Sequence, residues 1–495
     1  MTGQDLKNSI LQLAIQGKLV PQDANDEPAS VLLERIKAEK QKLINEKKIK
    51  KEKPLPEITD EEKPFEIPES WEWCRLGEIG SWGAGATPSK GKPEYYANGN
   101  IPWLRTGELN NSYVFDSEIK VTQAALDNCS LRMCKKGDVL IAMYGATIGK
   151  VAIAGIELTT NQACCACTPI LIFNEYLMWY LLASKQSFIE LGEGGAQPNI
   201  SREKIVAFPF AVPPLSEQHR IVAKIEELMP LVEEYDKAQK ELDALNAKLP
   251  EALKKSILQE AIQGKLVPQD PNDEPASVLL QRIRKEKEQL VKDGKLKKKD
   301  LVTTPITDEE KPFEIPEGWE WVRVNNLALV ARGGSPRPIK EFITESSNGV
   351  NWIKIGDTEK GGKYINSCAE KIKPEGVQRS RMVYPGDFLL TNSMSFGRPY
   401  ITNVEGCIHD GWLVISQYYQ GYDSNFLYYL LSSPFAFGQF SDKTAGAVVQ
   451  NLNKDKVAES VFPLPPLAEQ HRIVSKIEDL FAQIEPLAKA LSTPM

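Results

Sequence analysis

The sequence predicts an α+β protein with two similar mixed α/β domains, separated by long repeated helices that form an antiparallel coiled-coil spacer in a cyclic, pseudo-two-fold arrangement. The main observation is that three segments each occur twice, in the same order. A period of about 250 residues is far longer than that of solenoids or propellers, so a whole domain unit is duplicated. The copies are 6–36 and 253–283 with 27 of 31 positions identical, 58–73 and 306–321 with one change, and 213–228 and 465–480 with three changes.

The second observation is that the repeated segments surround two stretches that differ. The first insert is residues 74–212 and the second insert is residues 322–464. A few pairs still align between them, namely Gly137/Gly386, Asp138/Asp387, Trp103/Trp352 and Gly107/Gly356. We therefore expect one fold with two sets of surface residues. The expected segments are a helical and basic segment (1–53), the first domain (54–212), central helices with a second basic segment (213–300), the second domain (301–464) and a C-terminal helix (465–495).

The third repeated segment predicts a long helix. Its apolar residues fall at helical spacing on one face. Leucines at spacings of three and four then continue as a helix–helix seam requires, while Pro230 and Pro250 predict kinks or breaks. The stripe is Ile221, Val222, Ile225 and Leu228, repeated as Ile473, Val474, Ile477 and Leu480, and the seam is Leu242, Leu245, Leu249 and Leu253.

The joins between repeats predict a closed ring. The third segment leads to the next copy of the first through 24 residues, and the chain's tail and head together supply 20. If the two ends lie close together, the chain closes with two-fold pseudo-symmetry.

Each insert predicts mixed helix and strand structure. Strands are expected at 138–143 and 151–154 around the glycine turn 145–150, and at 387–391 and within 395–402 in the second insert. Cys164, Cys165 and Cys167 lack the second ligand pair of a zinc site, which favours a buried strand. Proline-rich connectors lead into both inserts and end in Trp71/Trp73 and Trp319/Trp321, which we expect to anchor the connector on a core.

Composition indicates a globular protein with local basic regions. The chain has 42% hydrophobic and 26% charged residues and a net charge of −7. Residues 35–53 and 282–299 each contain nine Lys or Arg and three acidic residues, which gives two arms that attract phosphates or are simply solvated helices. No apolar run reaches the length of a membrane span and the start lacks a signal peptide, so we expect a cytoplasmic protein with free thiols.

Catalytic and metal sites are hard to find in this sequence. Only three histidines are present, and His219 and His471 occupy the same place in the repeat, beside Arg220 and Arg472, which indicates packing or partner docking. His409 aligns with Thr160. Phosphate-binding glycine loops and the [DN]PP[YF] motif of amino-methyltransferases are absent, so we expect no catalytic residue, metal or cofactor in this chain.

Together the motifs resemble the specificity subunit of type I restriction–modification systems. These motifs are the PPLxEQxxIVxKI helix start, the GxxxGD and GATIGK turns, the GGAQPNI segment and the AIQGKLVPQ segment. The resemblance implies that each insert is a target recognition domain for one half of a bipartite, asymmetric DNA site. It also implies that the helices space the domains and dock two modification subunits, which bind S-adenosylmethionine and methylate adenine. Restriction subunits, which use ATP and Mg, join for cleavage.

Polar residues in the turns of the inserts are the candidate DNA contacts. Arg and Lys reach guanine acceptors, while Asn and Gln pair with adenine. Any one of them is also compatible with an ordinary solvated loop, and two other functions stay open: an assembly scaffold that does not bind DNA, and a self-sufficient DNA-modifying enzyme. The candidates are Ser89, Lys90, Lys92, Arg105, Thr106, Tyr144, Thr147, Lys150, Gln197 and Asn199, and in the second insert Arg337, Lys340, Lys354, Asn392, Ser393, Arg398, Gln450 and Asn451.

Overall fold

The chain divides into two compact units with the boundary between Leu242 and Asp243. The structure, a computed structural model, describes residues 1–192, 199–359, 361–392, 396–417, 421–442 and 452–492. Each unit contains one insert and one copy of every repeated segment. The mixed helix and strand content confirms the predicted fold class.

The first unit combines helices from the repeated segments with strands from its insert. Its helices are α1 (Gly3–Ile15), α2 (Ala29–Asn45), α3 (Gln123–Asn128), α4 (Asn174–Ala183), α5 (Lys185–Glu190), α6 (Arg202–Ala207) and the start of α7 (Leu215–Ile262). Its strands are β1 (Glu72–Arg75), β2 (Gly80–Ala84), β3 (Ile101–Leu104), β4 (Tyr113–Val114), β5 (Lys120–Val121), β6 (Val139–Ala142), β7 (Val151–Ala154), β8 (Thr159–Thr160), β9 (Cys164–Pro169) and β10 (Pro209–Val212). They form the sheets β2-β9-β6-β7-β4, β5-β3-β8 and β1-β10.

The second unit repeats this plan, and the end of α7 takes the place that α1 has in the first unit. Its helices are α8 (Ala276–Lys292), α9 (Val324–Leu327), α10 (Ile339–Phe342), α11 (Ser424–Leu431), α12 (Pro434–Asp442), α13 (Lys454–Ala458) and α14 (Leu467–Ser492). Its strands are β11 (Glu320–Arg323), β12 (Ala328–Arg332), β13 (Ile343–Thr344), β14 (Val350–Ile353), β15 (Tyr364–Ile365), β16 (Glu370–Ile372), β17 (Arg381–Val383), β18 (Phe388–Thr391), β19 (Pro399–Thr402), β20 (Gly406–Ile408), β21 (Trp412–Gln417) and β22 (Val461–Leu464). The order β12-β21-β18-β19-β15 matches the larger sheet of the first unit, and the others are β13-β16-β14-β20-β17 and β11-β22.

The strands predicted in the first insert form part of the hydrophobic core of the first unit. In the first unit β6, β7 and the thiols of β9 are buried, which confirms the strands predicted around the glycine turn. Burial raises the pKa of Cys164, Cys165 and Cys167, because a thiolate loses its hydration there. These cysteines therefore pack as apolar side chains within the strand.

The three repeated segments meet at one place in each unit, which we call the frame junction. In the first unit the Glu217 carboxylate accepts from Trp71 Nε1 at 2.9 Å and from Gln22 Nε2 at 2.5 Å. Arg220 and Asp26 form a two-bond ion pair with distances of 3.2 and 2.6 Å. Each of the three repeated segments supplies at least one member of these contacts. A substitution of one member therefore leaves a polar group of another segment without its partner.

The second unit has the same frame junction. Glu469 accepts from Trp319 Nε1 at 2.8 Å and from Gln269 Nε2 at 2.6 Å. Arg472 pairs with Asp273 at 3.1 and 2.6 Å. Burial raises the pKa of both Glu217 and Glu469 against the opposing effect of these hydrogen bonds. The second unit therefore repeats the satisfied buried network of the first unit.

A glycine ends the helix that enters each frame junction. Gly17 and Gly264 have φ of +69° and +71°, a conformation that terminates a helix and that residues with a Cβ rarely adopt. A Cβ at Gly17 would overlap the ring of Pro68, and a Cβ at Gly264 would overlap Pro316. The AIQGKLVPQ segment therefore needs its glycine for both backbone and packing reasons.

A buried arginine fixes each connector to its insert. The Arg75 guanidinium donates twice to Glu62 at 2.8 Å and also to the carbonyls of Pro56, Glu57 and Ala207. Arg323 makes the equivalent pair with Glu310 at 2.9 and 2.7 Å. Trp71 and Trp319 are buried, which agrees with the prediction that the tryptophans anchor the connector.

The long helix has no break at its prolines. Helix α7 runs through Pro230 and Pro250 as one continuous helix. The leucines of the predicted seam, Leu242, Leu245 and Leu249, are 44%, 67% and 39% exposed. Helical spacing shows which residues share a face but not whether another helix covers that face. The antiparallel spacer and the cyclic closure stay predictions.

Candidate nucleic-acid interface

A parallel strand pair sets the position of the candidate site in each unit. In the first unit β3 and β8 pair with Trp103 opposite Thr159 and Leu104 opposite Thr160. In the second unit β14 and β20 pair with Trp352 opposite Cys407 and Ile353 opposite Ile408. Because parallel strands end at the same edge of a sheet, the loops that follow them lie side by side. This register makes Asn161 the equivalent of His409, so the alignment of His409 with Thr160 was wrong by one residue.

A third loop joins this edge. The backbone N–H of Gly85, just after β2, donates to the Cys164 carbonyl, and Ala86 donates to Thr160. In the second unit Gly333 donates to Trp412 and Gly334 to Ile408. We call the three loops the strand-end cluster. It comprises residues 85–92, 105–108 and 161–162 in the first unit, and 333–340, 354–357 and 409–410 in the second.

The strand-end cluster contains most of the described candidates but with different side chains in the two units. Arg105 pairs with Glu108 at 3.2 Å and with Glu118. Its counterpart Lys354 pairs with Glu370 at 2.5 Å. The remaining candidates of the cluster are Ser89, Lys90, Lys92 and Thr106 in the first unit, and Arg337 and Lys340 in the second, all at least partly exposed.

Asp410 organises the cluster of the second unit. Its carboxylate accepts from Ser335 Oγ at 2.7 Å and from Arg337 at 3.3 Å, and its carbonyl accepts from Arg332 at 3.2 Å. The Ser335 hydroxyl lowers the pKa of Asp410, which stays ionised beside the 81% exposed Arg337 side chain. An arginine held on one edge by a carboxylate keeps its other N–H groups available for a base edge.

The first unit has a neutral version of the same arrangement. Thr87 and Gln162 stand at the positions of Ser335 and Asp410, and the Thr87 hydroxyl donates to the Gln162 amide oxygen. Neither Gln162 nor Asp410 was among the candidates. The signal that would have found them is the offset of 248 residues that also relates Thr87 to Ser335.

A second group of candidates surrounds the glycine turn of the first unit. The exposed Tyr144 forms an antiparallel bridge with Asn199, and Thr147 Oγ donates to the Tyr144 carbonyl at 2.8 Å. Lys150 is partly exposed after the turn. Its counterpart Arg398 lies over the Tyr400 ring, 5.4 Å from the centroid. Gln197, Ser393, Gln450 and Asn451 lie outside the described residues.

Asn392, one of the candidate DNA contacts, is buried. It is 2% exposed, its amide nitrogen donates to the Asp410 carbonyl at 2.7 Å, and its carbonyl accepts from Leu452. In the first unit the equivalent backbone contact joins Met143 and Ile200, so Asn392 stands where a buried methionine stands. This geometry favours support of Asp410 over direct contact with a base.

The four proposed docking residues differ in availability. Arg220 and Arg472 are half-buried in the ion pairs of the frame junctions. His219 is exposed and its ring lies 3.9 Å from that of Phe173, while His471 is exposed at 3.6 Å from Asp423. The docking role of all four stays a prediction.

Two other kinds of site are not found in the part of the chain that the structure describes. Among the described residues, no three His, Cys, Asp or Glu side chains gather in a way that could hold a metal ion. No helix in the described ranges combines the length and the apolar character needed to cross a membrane.

The geometry describes a protein with two related domains on equal frames. A family model described as "Type I restriction modification DNA specificity domain" matches residues 68–242 and 316–491. The chain therefore belongs to the DNA specificity family of type I restriction–modification systems, as the motifs predicted.

Two relatives from Escherichia coli match over nearly the whole chain. The chain is 31% identical to the type I restriction enzyme EcoAI specificity subunit, with 99% of this chain and 90% of the relative covered. It is 30% identical to the EcoEI specificity subunit over the same shares. Among solved structures, the HsdS subunit from Thermoanaerobacter tengcongensis matches with 20% identity and a TM-score of 0.46, covering 87% of this chain and 94% of that one.

Proposed function

We propose that each unit reads one half of a bipartite, asymmetric DNA site through its strand-end cluster and glycine turn. The supporting observation is that equal frames carry different side chains at equivalent places. Ser89 of the first unit corresponds in position to Arg337 of the second, Arg105 corresponds to Lys354, and Gln162 corresponds to Asp410. Different side chains on equal frames are suited to different bases, which gives an asymmetric site.

The contacts divide by chemistry. Arg and Lys side chains are suited to the O6 and N7 acceptors of guanine, whereas the amides of Gln162 and Asn199 are suited to adenine. Phosphate contacts come from the remaining cations and fix the register of the DNA without reading it.

The same proposal assigns partners to the repeated helices. Two modification subunits that bind S-adenosylmethionine would dock on the repeated surfaces, and restriction subunits using ATP and Mg would join them. The exposed Leu242, Leu245 and Leu249 of α7 and the exposed His219 and His471 support this docking role, because uncovered apolar side chains favour a protein partner. The chain itself supplies no catalytic residue in this scheme.

A domain exchange tests the proposal. Residues 74–212 are replaced by the insert of another family member, and the methylated DNA sites are sequenced in cells that carry the modification subunits. We expect one half-site to change and the other to stay. The matched exchange of residues 322–464 should change the opposite half-site. A change of both half-sites by either exchange contradicts the modular assignment.

Two further measurements separate the alternative functions. A scaffold that does not bind DNA would show no salt-dependent affinity for duplex DNA in any combination with its partners. A self-sufficient enzyme would transfer labelled methyl groups from S-adenosylmethionine to DNA without a partner. We expect salt-dependent binding and no transfer by the isolated chain.

A further inference from the structure

A basic groove lies on the second unit, and its cations differ from the residues at the equivalent positions of the first unit. It has a volume of about 870 Å³ and is lined by residues 295–297, 329–332, 381 and 453–455. Its charged side chains, all exposed, are Lys295, Lys297, Arg332, Arg381 and Lys454, with Asp455 as the acid.

Four separate segments bring these cations together. The chain folds back after α8, where Gly294 has a φ of +74° and Lys295 N–H donates to the Leu290 carbonyl. Arg332 ends β12 and Arg381 begins β17, and each strand is the last one in its sheet. Lys454 begins α13, which packs beside β12. A lone cation on a terminal strand is a common guard against aggregation, but convergence from four segments is not explained that way.

Three of the equivalent cations of the first unit already have partners. Lys48 pairs with Glu46 at 2.8 Å, and Arg202 pairs with Glu52 and donates to the Trp82 carbonyl. The Arg132 guanidinium donates to backbone carbonyls of Ser81 and Ala166. Arg332 has the uncharged Ala84 as its counterpart.

Within the described ranges of the chain, three cations of the groove lack such carboxylate partners. Among the described residues, Lys295, Arg381 and Lys454 make no ion pair. Uncompensated cations that converge on one groove repel each other, so an anion bound there gains from several of them at once.

The groove adjoins the strand-end cluster. Arg332 Nε donates to the carbonyl of Asp410, the residue that holds Arg337. A duplex read by Arg337 would therefore continue toward the groove. Duplex DNA carries one charge per roughly 1.7 Å of its axis, which supplies several phosphates over the length of such a groove.

We infer that the basic groove binds the phosphate backbone of DNA next to the half-site read by the second unit. At the described equivalent positions of the first unit, most cations are paired or replaced by an uncharged residue, so the two halves of the site contribute unequally to salt-dependent affinity. This inference rests on the proposed function, and its ligand is duplex DNA.

The test compares two triple variants of the full chain assembled with its modification subunits. K295Q/R381Q/K454Q removes three charges from the groove, and K48Q/K50Q/K53Q removes three from the basic arm of the first unit. The logarithm of the DNA association constant is measured against the logarithm of salt concentration. We expect the slope to fall by about 0.9 for each phosphate that is no longer neutralised, hence by about 2 to 3 for the groove variant. The control slope should change by less than the value for one phosphate, and sequence preference should stay.

A second measurement identifies the phosphates. Methylphosphonate linkages, which carry no charge, replace phosphates beside one half-site at a time. Substitution beside the second unit's half-site should weaken binding of the unmodified chain and have little further effect on the groove variant. An unchanged slope in the groove variant overturns the inference, and so does loss of assembly with the modification subunits at an unchanged slope. Absence of salt-dependent binding by the unmodified chain contradicts the proposed function itself.

Discussion

The frame junctions repeat both backbone and side-chain contacts in the two units, whereas the strand-end clusters repeat the backbone but carry different side chains. At the junctions, corresponding hydrogen bonds of the two units differ by at most 0.1 Å, as for Glu217 and Glu469 with their tryptophan and glutamine donors. At the clusters the backbone register is repeated while the side chains change from Thr87 and Gln162 to Ser335 and Asp410. Buried networks tolerate no partial change because removal of one partner leaves a polar group unsatisfied, whereas exposed loops carry new groups at little cost.

The largest expected effect is on the frame junction. Trp71→Ala removes a buried indole and one of the two hydrogen-bond donors of Glu217, so we expect a loss of about 3–5 kcal/mol in the free energy of unfolding of the first unit. Trp319→Ala should cost the second unit a similar amount. Chemical denaturation of both variants measures this, and clearly different costs in the two units would contradict the equivalence of the junctions.

The helix-ending glycine gives the next largest effect. Gly17→Ala combines a positive φ with overlap on Pro68, so it should destabilise the first unit by about 1–3 kcal/mol. Gly294→Ala is the matched control, because Gly294 has a φ of +74° but nothing within 4 Å of a Cβ. The control should show only the backbone cost, roughly 1 kcal/mol. Equal losses in the two thermal unfolding curves would show that packing against Pro68 contributes nothing.

Substitutions in the strand-end cluster should change the DNA sequence specificity of the protein and leave its free energy of unfolding nearly unchanged. Arg337→Ala should lower discrimination at one base pair of the second unit's half-site by about 1–3 kcal/mol. Asp410→Asn, which weakens the hold on Arg337, should affect the same base pair less. Ser89→Ala is the control at the equivalent place in the first unit. Competition binding with single substitutions along both half-sites measures the effect, and a uniform loss across all positions would assign Arg337 to phosphates.

Much of the fold could be predicted because duplication exposes it. Repeated segments located the frame, and runs of apolar residues located β6, β7 and β18. What could not be predicted are partners that depend on three-dimensional contact. Arg220 and Arg472 were assigned to docking, yet each pairs with a repeated aspartate, Asp26 or Asp273, nearly 200 residues away. A repeat of both partners was present in the sequence, but nothing in it showed that they touch.

The residues of the candidate site were harder to predict from the sequence than the frame, because their positions also depend on three-dimensional contacts. Asn392 has the amide typical of a base contact but follows a buried strand and faces inward. Gln162 and Asp410 were missed because the offset between the units is 249 at Trp103 and Trp352 but 248 at Gln162 and Asp410. The parallel strand pairing shows where the offset changes and therefore which residues are equivalent.

The smallest expected effect concerns acid stability at the connector. Hydrogen bonds from Arg75, and then from the Thr59 backbone, lower the pKa of Glu62 from 4.5 to about 2. Because the folded-state pKa is below the unfolded one, this contribution to stability is complete above pH 4.5 and is lost as the pH falls toward 2. Glu62→Gln should therefore be less stable than the unmodified chain at pH 6 and approach it at pH 2 to 3. The matched Glu310→Gln variant tests the same pair in the second unit, where Glu310 binds Arg323. Denaturation midpoints of the variant and of the unmodified chain are compared from pH 2 to 6. If the difference between them does not become smaller at low pH, the charge of the Glu62 carboxylate contributes nothing to its ion pair with Arg75.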